Sequence, residues 1–382
     1  MIPKISLIVP VYNVEKYISK ALDSVFNQTF NGIEIICVDD CSTDGSLEVL
    51  KDYKEKAKSK SNITDFKIIE LKENKGQGHA RNLALTEATG DYVMYLDPDD
   101  WYELNAFEKA YNQIVKNNND FVSFDFYIYL DENNKRKVNH ERSKPFAKVI
   151  NSPRIRIRDI DANVVVSNYC WGGVYKRDFL VKNNIVFSKT IRGEDHIFVL
   201  KAFQVAETTS WITEPLYNYR IFYTHDEHRV EVKMARAKKM EQLFYNFKSV
   251  TEMLLNAKCE NLLNSYVVYC INGCEYLFNT NNQYDNTVSK ELYFAKVKEL
   301  FEFFKANKLP KKYKRYCNYL FYRKILWAEN VKQYQIITVI EKILSRIFGI
   351  TIETTINTKR LVVKILGFKF AKTIQRIELE SC

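Results

Sequence analysis

Ile5-Ser-Leu-Ile-Val-Pro-Val-Tyr-Asn13 and, twenty residues on, Ile33-Glu-Ile-Ile-Cys-Val-Asp-Asp40 decide the fold. Each is a short apolar run rich in β-branched residues that ends on polar side chains, the pattern of a strand buried on both faces. Between them Val14–Phe26 carries apolar residues at helical spacing. The alternation continues outward. Asp39–Ser46 reads as a loop, Phe66–Leu71 as strand, Gly76–Ala88 as helix and Tyr92–Leu96 as strand. Glu103–Lys116 is again helical and Phe121–Leu130 again strand. Such alternation predicts an α/β fold with a parallel sheet and helices on both faces. Ligands of these sheets bind at the carboxyl ends of strands, where the strand order reverses. The polar clusters Tyr12–Asn13, Asp39–Asp40 and Asp97–Asp100 all fall at such ends.

The rest of the chain is less regular. Asp131–Arg142 is polar, a loop or hairpin tip; Trp171–Gly173 reads as a turn, Glu194–Val205 as helix and Leu216–Tyr223 as a terminal strand. Beyond about residue 225 apolar residues recur at helical spacing through Phe348, which places a boundary near Arg229. The expected domains are therefore residues 1–228, catalytic, and 229–382, mostly helical. Arg360–Lys372 is both apolar and basic, suited either to an anionic membrane interface or to packing inside a domain.

At 382 residues, with 46% hydrophobic and 27% charged residues, the chain can bury a core and keep room for an appendage. The net charge of +10 favours anionic partners. Nucleotide phosphates and an anionic membrane surface come first; nucleic acid is excluded for lack of any recognition signature. The 8 cysteines lack CxxC spacing, so reduced thiols are expected rather than a disulfide frame or zinc site. No signal segment precedes the first strand and no run reaches the ~20 apolar residues of a membrane span, so a cytoplasmic protein is expected, peripheral on the inner membrane face at most.

The two opening strings resemble the start of the large family 2 glycosyltransferases, which have the GT-A fold, a Rossmann-like mixed sheet flanked by helices. The matching strings are Ile5–Asn13 and Ile35-Ile-Cys-Val-Asp-Asp-Cys-Ser-Thr-Asp-Gly-Ser46, then Asn74-Lys-Gly-Gln-Gly-His-Ala-Arg-Asn82, Tyr95-Leu-Asp-Pro-Asp-Asp100 and Gly193-Glu-Asp195. Together they span roughly Ile5 to Tyr223. The resemblance implies an inverting enzyme that takes a UDP-sugar, with hexose (galactose or glucose) and N-acetylhexosamine both open. The acceptor it implies is a glycan or lipid-linked glycan of a bacterial surface polysaccharide, lipooligosaccharide or capsule.

Roles follow residue by residue. A leaving diphosphate needs its charge neutralised, and oxygen ligands with room for water suit Mn²⁺ or Mg²⁺. By resemblance Asp99 contacts that cation and Asp97 holds the ribose or the cation's water shell. Asp100 is assigned to capping the next helix. Pro10, Tyr12 and Asp40 are expected at the base, with Tyr12 offering a ring face and Asp40, or Asp39 in its place, accepting from the uracil N–H. Arg81 resembles the family's arginine facing the donor. Inversion by single displacement needs one general base, and Asp195 is expected to be it, oriented by Glu194. Arg220 is a candidate for the pyrophosphate and His225, in competition with His228, for a further metal ligand. Trp171 lies where the family lines its acceptor site, although Gly173 stands where many relatives are basic. A sugar-nucleotide pyrophosphorylase is disfavoured because Pro10-Val-Tyr-Asn13 replaces its Gly-rich phosphate loop. A non-catalytic glycan-binding descendant is disfavoured because Asp99 and Asp195 are both kept.

Overall fold

β1 (Ile5–Val11) and β2 (Ile33–Asp39) are buried at every position, as their unbroken apolar runs require. They pair in parallel from Ile5↔Ile33 to Val11↔Asp39. The computed structural model describes residues 4–130, 169–188, 194–221 and most of 241–252; the backbone of 135–138, 351–357 and 360–366; and five single positions between 295 and 306. The chain divides into two compact units, Met1–Tyr276 and Leu277–Cys382.

In the first unit the described strands form one sheet. β3 (Ile63–Glu70) extends β2, and β4 (Tyr92–Tyr95) flanks β1 on its other side, both in parallel. Beyond β4 the sheet turns mixed. β8 (Gly173–Lys176) runs antiparallel between β4 and β6 (Phe121–Leu130). The long β9 (Thr209–Ile221) lies parallel to β6, and the two-residue β5 (Trp101–Tyr102) closes the edge on β9. β7 (Lys135–Val138) folds back on β6 as the hairpin expected near Asp131. The parallel pairing expected from alternation alone thus holds for β3-β2-β1-β4 and again for β6-β9, while β8 runs antiparallel to both of its neighbours and makes the sheet mixed.

α1 (Glu15–Phe26), α3 (Gln77–Glu87) and α4 (Ala106–Asn117) lie within three residues of the predicted spans at each end. α2 (Ser46–Ala57) was not foreseen. It buries only Ser46, Leu50 and Tyr53 among its Lys and Glu residues, too thin a stripe to read. α5 (Arg177–Lys182) is a short helix after β8, and α6 (Glu194–Val205) has the predicted bounds.

β1 contains a proline without breaking the sheet. Leu96 donates its N–H to the Ile8 carbonyl, so even-numbered residues of β1 face β4. β4 pairs only as far as Tyr95, opposite Ile8, so the Pro10 ring nitrogen faces the side that β4 has already left. A residue without an N–H loses no ladder bond there. This opening between β1 and β4 is the point where strand order reverses.

In the second unit, β10 (Thr351–Asn357) and β11 (Arg360–Leu366) form an antiparallel hairpin. This hairpin lies beyond Phe348, where the helical spacing ends, and most of residues 229–350, on which the expectation of a mostly helical part rests, lie outside the described residues. The first seven residues of the basic, apolar segment are strand. Among the described residues no helix is long and apolar enough to cross a membrane.

Candidate active site

The acidic turn after β4 is clamped from β9. Asp100 donates its N–H to the Asp97 carbonyl at 3.0 Å, closing the turn. The Asp100 carboxyl is buried and accepts from the Tyr217 hydroxyl at 2.9 Å and from the Arg220 N–H at 2.7 Å. Arg220 Nε donates to the Asp99 carbonyl at 2.9 Å. Burial, reinforced by the charges of Asp99 and Asp97, pushes the Asp100 carboxyl well up. Asp100 does not cap the following helix, which begins at Ala106 after Asn105; its oxygens are taken by β9. Asp97 and Asp99 remain half-buried on the outer side of the turn.

Arg81 gathers the acids. Projecting from α3 with no exposed surface, it meets Asp97 at 2.6 Å through Nη2, and through Nη1 it meets Asp195 at 2.8 Å and Glu194 at 3.0 Å. Gln77, one turn earlier, donates to the same Glu194 oxygen. Asp195 also faces the Cys170 N–H at 3.4 Å. Burial raises the carboxyls of both acids, and the Arg81 charge works against that rise. Glu194 is pushed up to about 8 by burial and then by the charge of Asp195.

The sign of that shift gives a prediction. Between the ordinary 4.5 and about 8 the folded protein keeps a proton on Glu194 that the unfolded chain has released, so stability falls as pH rises through this window. Glu194→Gln, which mimics the protonated group, should come close to the wild type at about pH 5 and exceed it by up to about 5 kcal/mol at about pH 9 in denaturant unfolding. A gap that stays constant with pH would mean that Glu194 is ionised in the fold.

The start of α3 is packed tightly against Phe187, Ser188 and Glu194. A Cβ on Gly78 would stand 2.9 Å from the Ser188 carbonyl oxygen and 3.3 Å from Glu194 Cγ. Ala gains about 1 kcal/mol of helix propensity over Gly, but overpacking costs about 1–3 kcal/mol, and here the obstacle is backbone. Gly78→Ala should therefore lower the unfolding midpoint, whereas a raised midpoint would show that Ser188 yields freely.

On the other side of the opening, Tyr12 is half-buried in the bend after β1. Asn13, at φ 51°, accepts through Oδ1 from the Thr43 N–H at 2.7 Å and ties that bend to the loop after β2. Asp40 is buried, and its two oxygens accept the N–H groups of Lys75 and Gly76 at 2.7 Å each. Gly76 adopts φ 86°, a left-handed conformation that favours glycine. Burial raises the Asp40 carboxyl against the lowering effect of those two amides. Asp39 is also buried; Oδ2 accepts from the Ser42 N–H at 3.2 Å, while Oδ1 finds no partner among the described residues.

Trp171 is 1% exposed, its ring stacked at 4.3 Å on Tyr217 and at 4.6 Å on Tyr169. This places it in an aromatic core beneath the site, not on an open acceptor surface. The Arg220 guanidinium lies among the rings of Tyr17, Trp101 and Tyr129, each between 5.1 and 5.4 Å away. His225 and His228 lie outside the described residues. The structure thus brings Arg81, Asp97, Glu194 and Asp195 together, with Asp99 and Arg220 behind the same turn. Gln77, Asn82 and Tyr217 were not singled out from the sequence, although the first two sit inside the quoted string Asn74–Asn82 and Tyr217 stands two residues before Tyr219-Arg220.

Among the described residues no three His, Cys, Asp or Glu side chains converge as a metal cage. A donor set of Asp97 and Asp99 fits a hard cation that takes its remaining oxygens from phosphate and water, as Mg²⁺ commonly does.

Residues 6–182 match the family model for Glycosyl transferase family 2. Over that span, less than half of its length, the chain resembles glycosyltransferase family 2. The chain is 32% identical over 224 residues to Glycosyltransferase GlyA of Streptococcus pneumoniae, covering 57% of this chain and 30% of that protein. It is 33% identical over 222 residues to glycosyltransferase EpsJ of Bacillus subtilis, covering 58% and 62% respectively. The chain thus spans less than two thirds of either relative. Among solved structures it is similar to residues 1–349 of Staphylococcus aureus TarS in complex with UDP, with a TM-score of 0.61 at 21% identity, over 97% of this chain and 100% of that one. That likeness establishes the GT-A-like fold.

Proposed function

We propose that the chain is an inverting glycosyltransferase that moves a hexose such as galactose or glucose, or an N-acetylhexosamine, from a UDP-sugar to a glycan or lipid-linked glycan of a bacterial surface polymer. The observation that carries the reading is the ion-paired chain Asp97–Arg81–Asp195, which joins the acidic turn and the Glu-Asp pair at the strand ends of one opening. We place the catalytic part in residues 1–228 and leave 229–382 as a C-terminal part.

Tyr12 would stack on uracil beside Pro10, and the ring N–H would be taken by the Asp39–Asp40 pair, of which Asp39 still has an unspent oxygen. Asp99 and Asp97 would hold Mn²⁺ or Mg²⁺, with His225 as a further candidate. When bound, the cation supplies charge neutralisation for the departing diphosphate. Asp195 would take the proton of the acceptor hydroxyl as that oxygen attacks the sugar carbon from the face opposite UDP. Arg220, held behind Asp99, would add positive potential on the leaving side. A poly(ribitol-phosphate) β-N-acetylglucosaminyltransferase, TarS, is among the relatives at 30% identity over 220 residues, and its structure is known with UDP-GlcNAc. This supports the donor class and the surface-polymer setting.

The test is hydrolysis of a panel of UDP-sugars by the purified chain with Mn²⁺, with and without EDTA. Slow UDP release from one sugar, abolished by chelation, is the expected result. The absence of both turnover and thermal stabilisation by UDP with Mn²⁺ would overturn the proposal.

A further inference from the structure

Gly78 and three side chains of the same string, Gln77, Arg81 and Asn82, face Phe187–Ser188 and Glu194–Asp195. Asn82 Nδ2 donates to the Phe187 carbonyl at 2.9 Å, and its Oδ1 accepts the Phe187 N–H at 2.8 Å, a strand-like pair of bonds made by one side chain. Gly78 permits the close approach at Ser188. Gln77 and Arg81 hold Glu194, and Arg81 continues to Asp195 and Asp97. The Phe187 ring lies 5.1 Å from the Arg81 guanidinium and stacks at 4.2 Å on Phe198 of α6. Immediately before this helix, Lys75 and Gly76 hold Asp40.

We infer that the first turns of α3 are a bracket that sets the position of the Glu-Asp pair relative to the acidic turn, with Arg81 and Asn82 as positioning residues that do not touch the donor. Arg81 has no exposed surface; both terminal nitrogens are spent on carboxylates, and its Nε is buried without a partner. A donor contact needs an accessible N–H, and none is present. One guanidinium facing three carboxylates instead fixes their separation, because its planar fork constrains direction as well as distance. Asn82 performs the same task on the main chain, out of reach of the acids. This inference rests on the glycosyltransferase reading only for what the positioned acids do.

The experiment has two arms. In the first, thermal unfolding of Arg81→Met, Asp195→Asn and the double variant forms a cycle that needs no activity. Arg81→Met should lower Tm by roughly 5–10 °C, since it leaves carboxylates facing one another, and adding Asp195→Asn should restore part of that loss. Additive shifts would overturn the bracket. In the second arm, Arg81→Lys and Asn82→Ala are compared for kcat, KM and the Kd of UDP with Mn²⁺. A fall in kcat of roughly 10–100-fold is expected in both, because misplacing a reacting group by about 1 Å costs that much, with UDP affinity unchanged in Asn82→Ala, whose bonds are to the Phe187 main chain alone. UDP affinity that weakens in step with kcat/KM in Asn82→Ala would sink the inference, as would full activity in both variants. If the wild type turns over no sugar nucleotide yet the thermal cycle shows coupling, the bracket stands and the enzymatic reading fails on its own.

Discussion

Asp195→Asn is expected to reduce sugar transfer by about 10²–10⁴-fold, the usual contribution of a positioned general base. The substitution keeps the shape and removes the ability to accept a proton. Asp195 sits 2.8 Å from Arg81, and that charge opposes the rise that burial imposes on its carboxyl. The pairing favours the ionised form, which is the one that can accept a proton, against the burial that disfavours it. Glu194 is the internal control. Pushed up to about 8, it is mostly protonated at neutral pH, so Glu194→Gln should cost under about tenfold in rate. UDP affinity should survive both changes. Equal losses from the two substitutions would remove the distinction between base and orienting acid, and a drop of less than about tenfold for Asp195→Asn would remove Asp195 from the proton transfer.

Asp99→Ala should abolish cation-dependent UDP release, with a loss of at least about 10²–10³-fold, and should do so without destabilising the fold. The turn that carries Asp99 is held by main-chain and neighbouring groups: Arg220 on the Asp99 carbonyl, and the Tyr217 hydroxyl and Arg220 N–H on Asp100. Removing the Asp99 side chain leaves those bonds in place. It also removes one of the negative charges that push the Asp100 carboxyl up, so the unfolding midpoint should hold or rise slightly. Activity and midpoint measured on one preparation decide the matter. A midpoint that falls with activity would make Asp99 a structural residue of the turn.

The strands that build the opening were legible because they are buried on both faces, and an unbroken apolar run ending in Asp is hard to read otherwise. Ile5–Val11 and Phe121–Leu130 show this directly. α2 was not legible, because a helix resting one face on the molecule needs only a few apolar residues. β11 was hidden for a different reason: in Arg360–Leu366 the basic and apolar residues suit an interface helix as well as a strand, and composition does not choose. In the site, residue types pointed to the acids but not to their mutual contacts. Arg81 was expected to face a nucleotide, and its complete burial among three carboxylates follows from long-range packing of α3 on α6. Asp100 was expected to cap a helix three residues away because local rules favour that, while β9 supplied donors from 117 and 120 residues further on.

The Pro10 position also governs wetting. Where two strands part, an ordinary residue would leave a donor pointing into the gap, and such a donor recruits water. With an imide nitrogen there, the floor of the opening offers solvent no backbone donor at that point. A flat aromatic base sliding in beside Tyr12 would then displace little that is firmly held, and its entry would be limited by shape more than by dehydration.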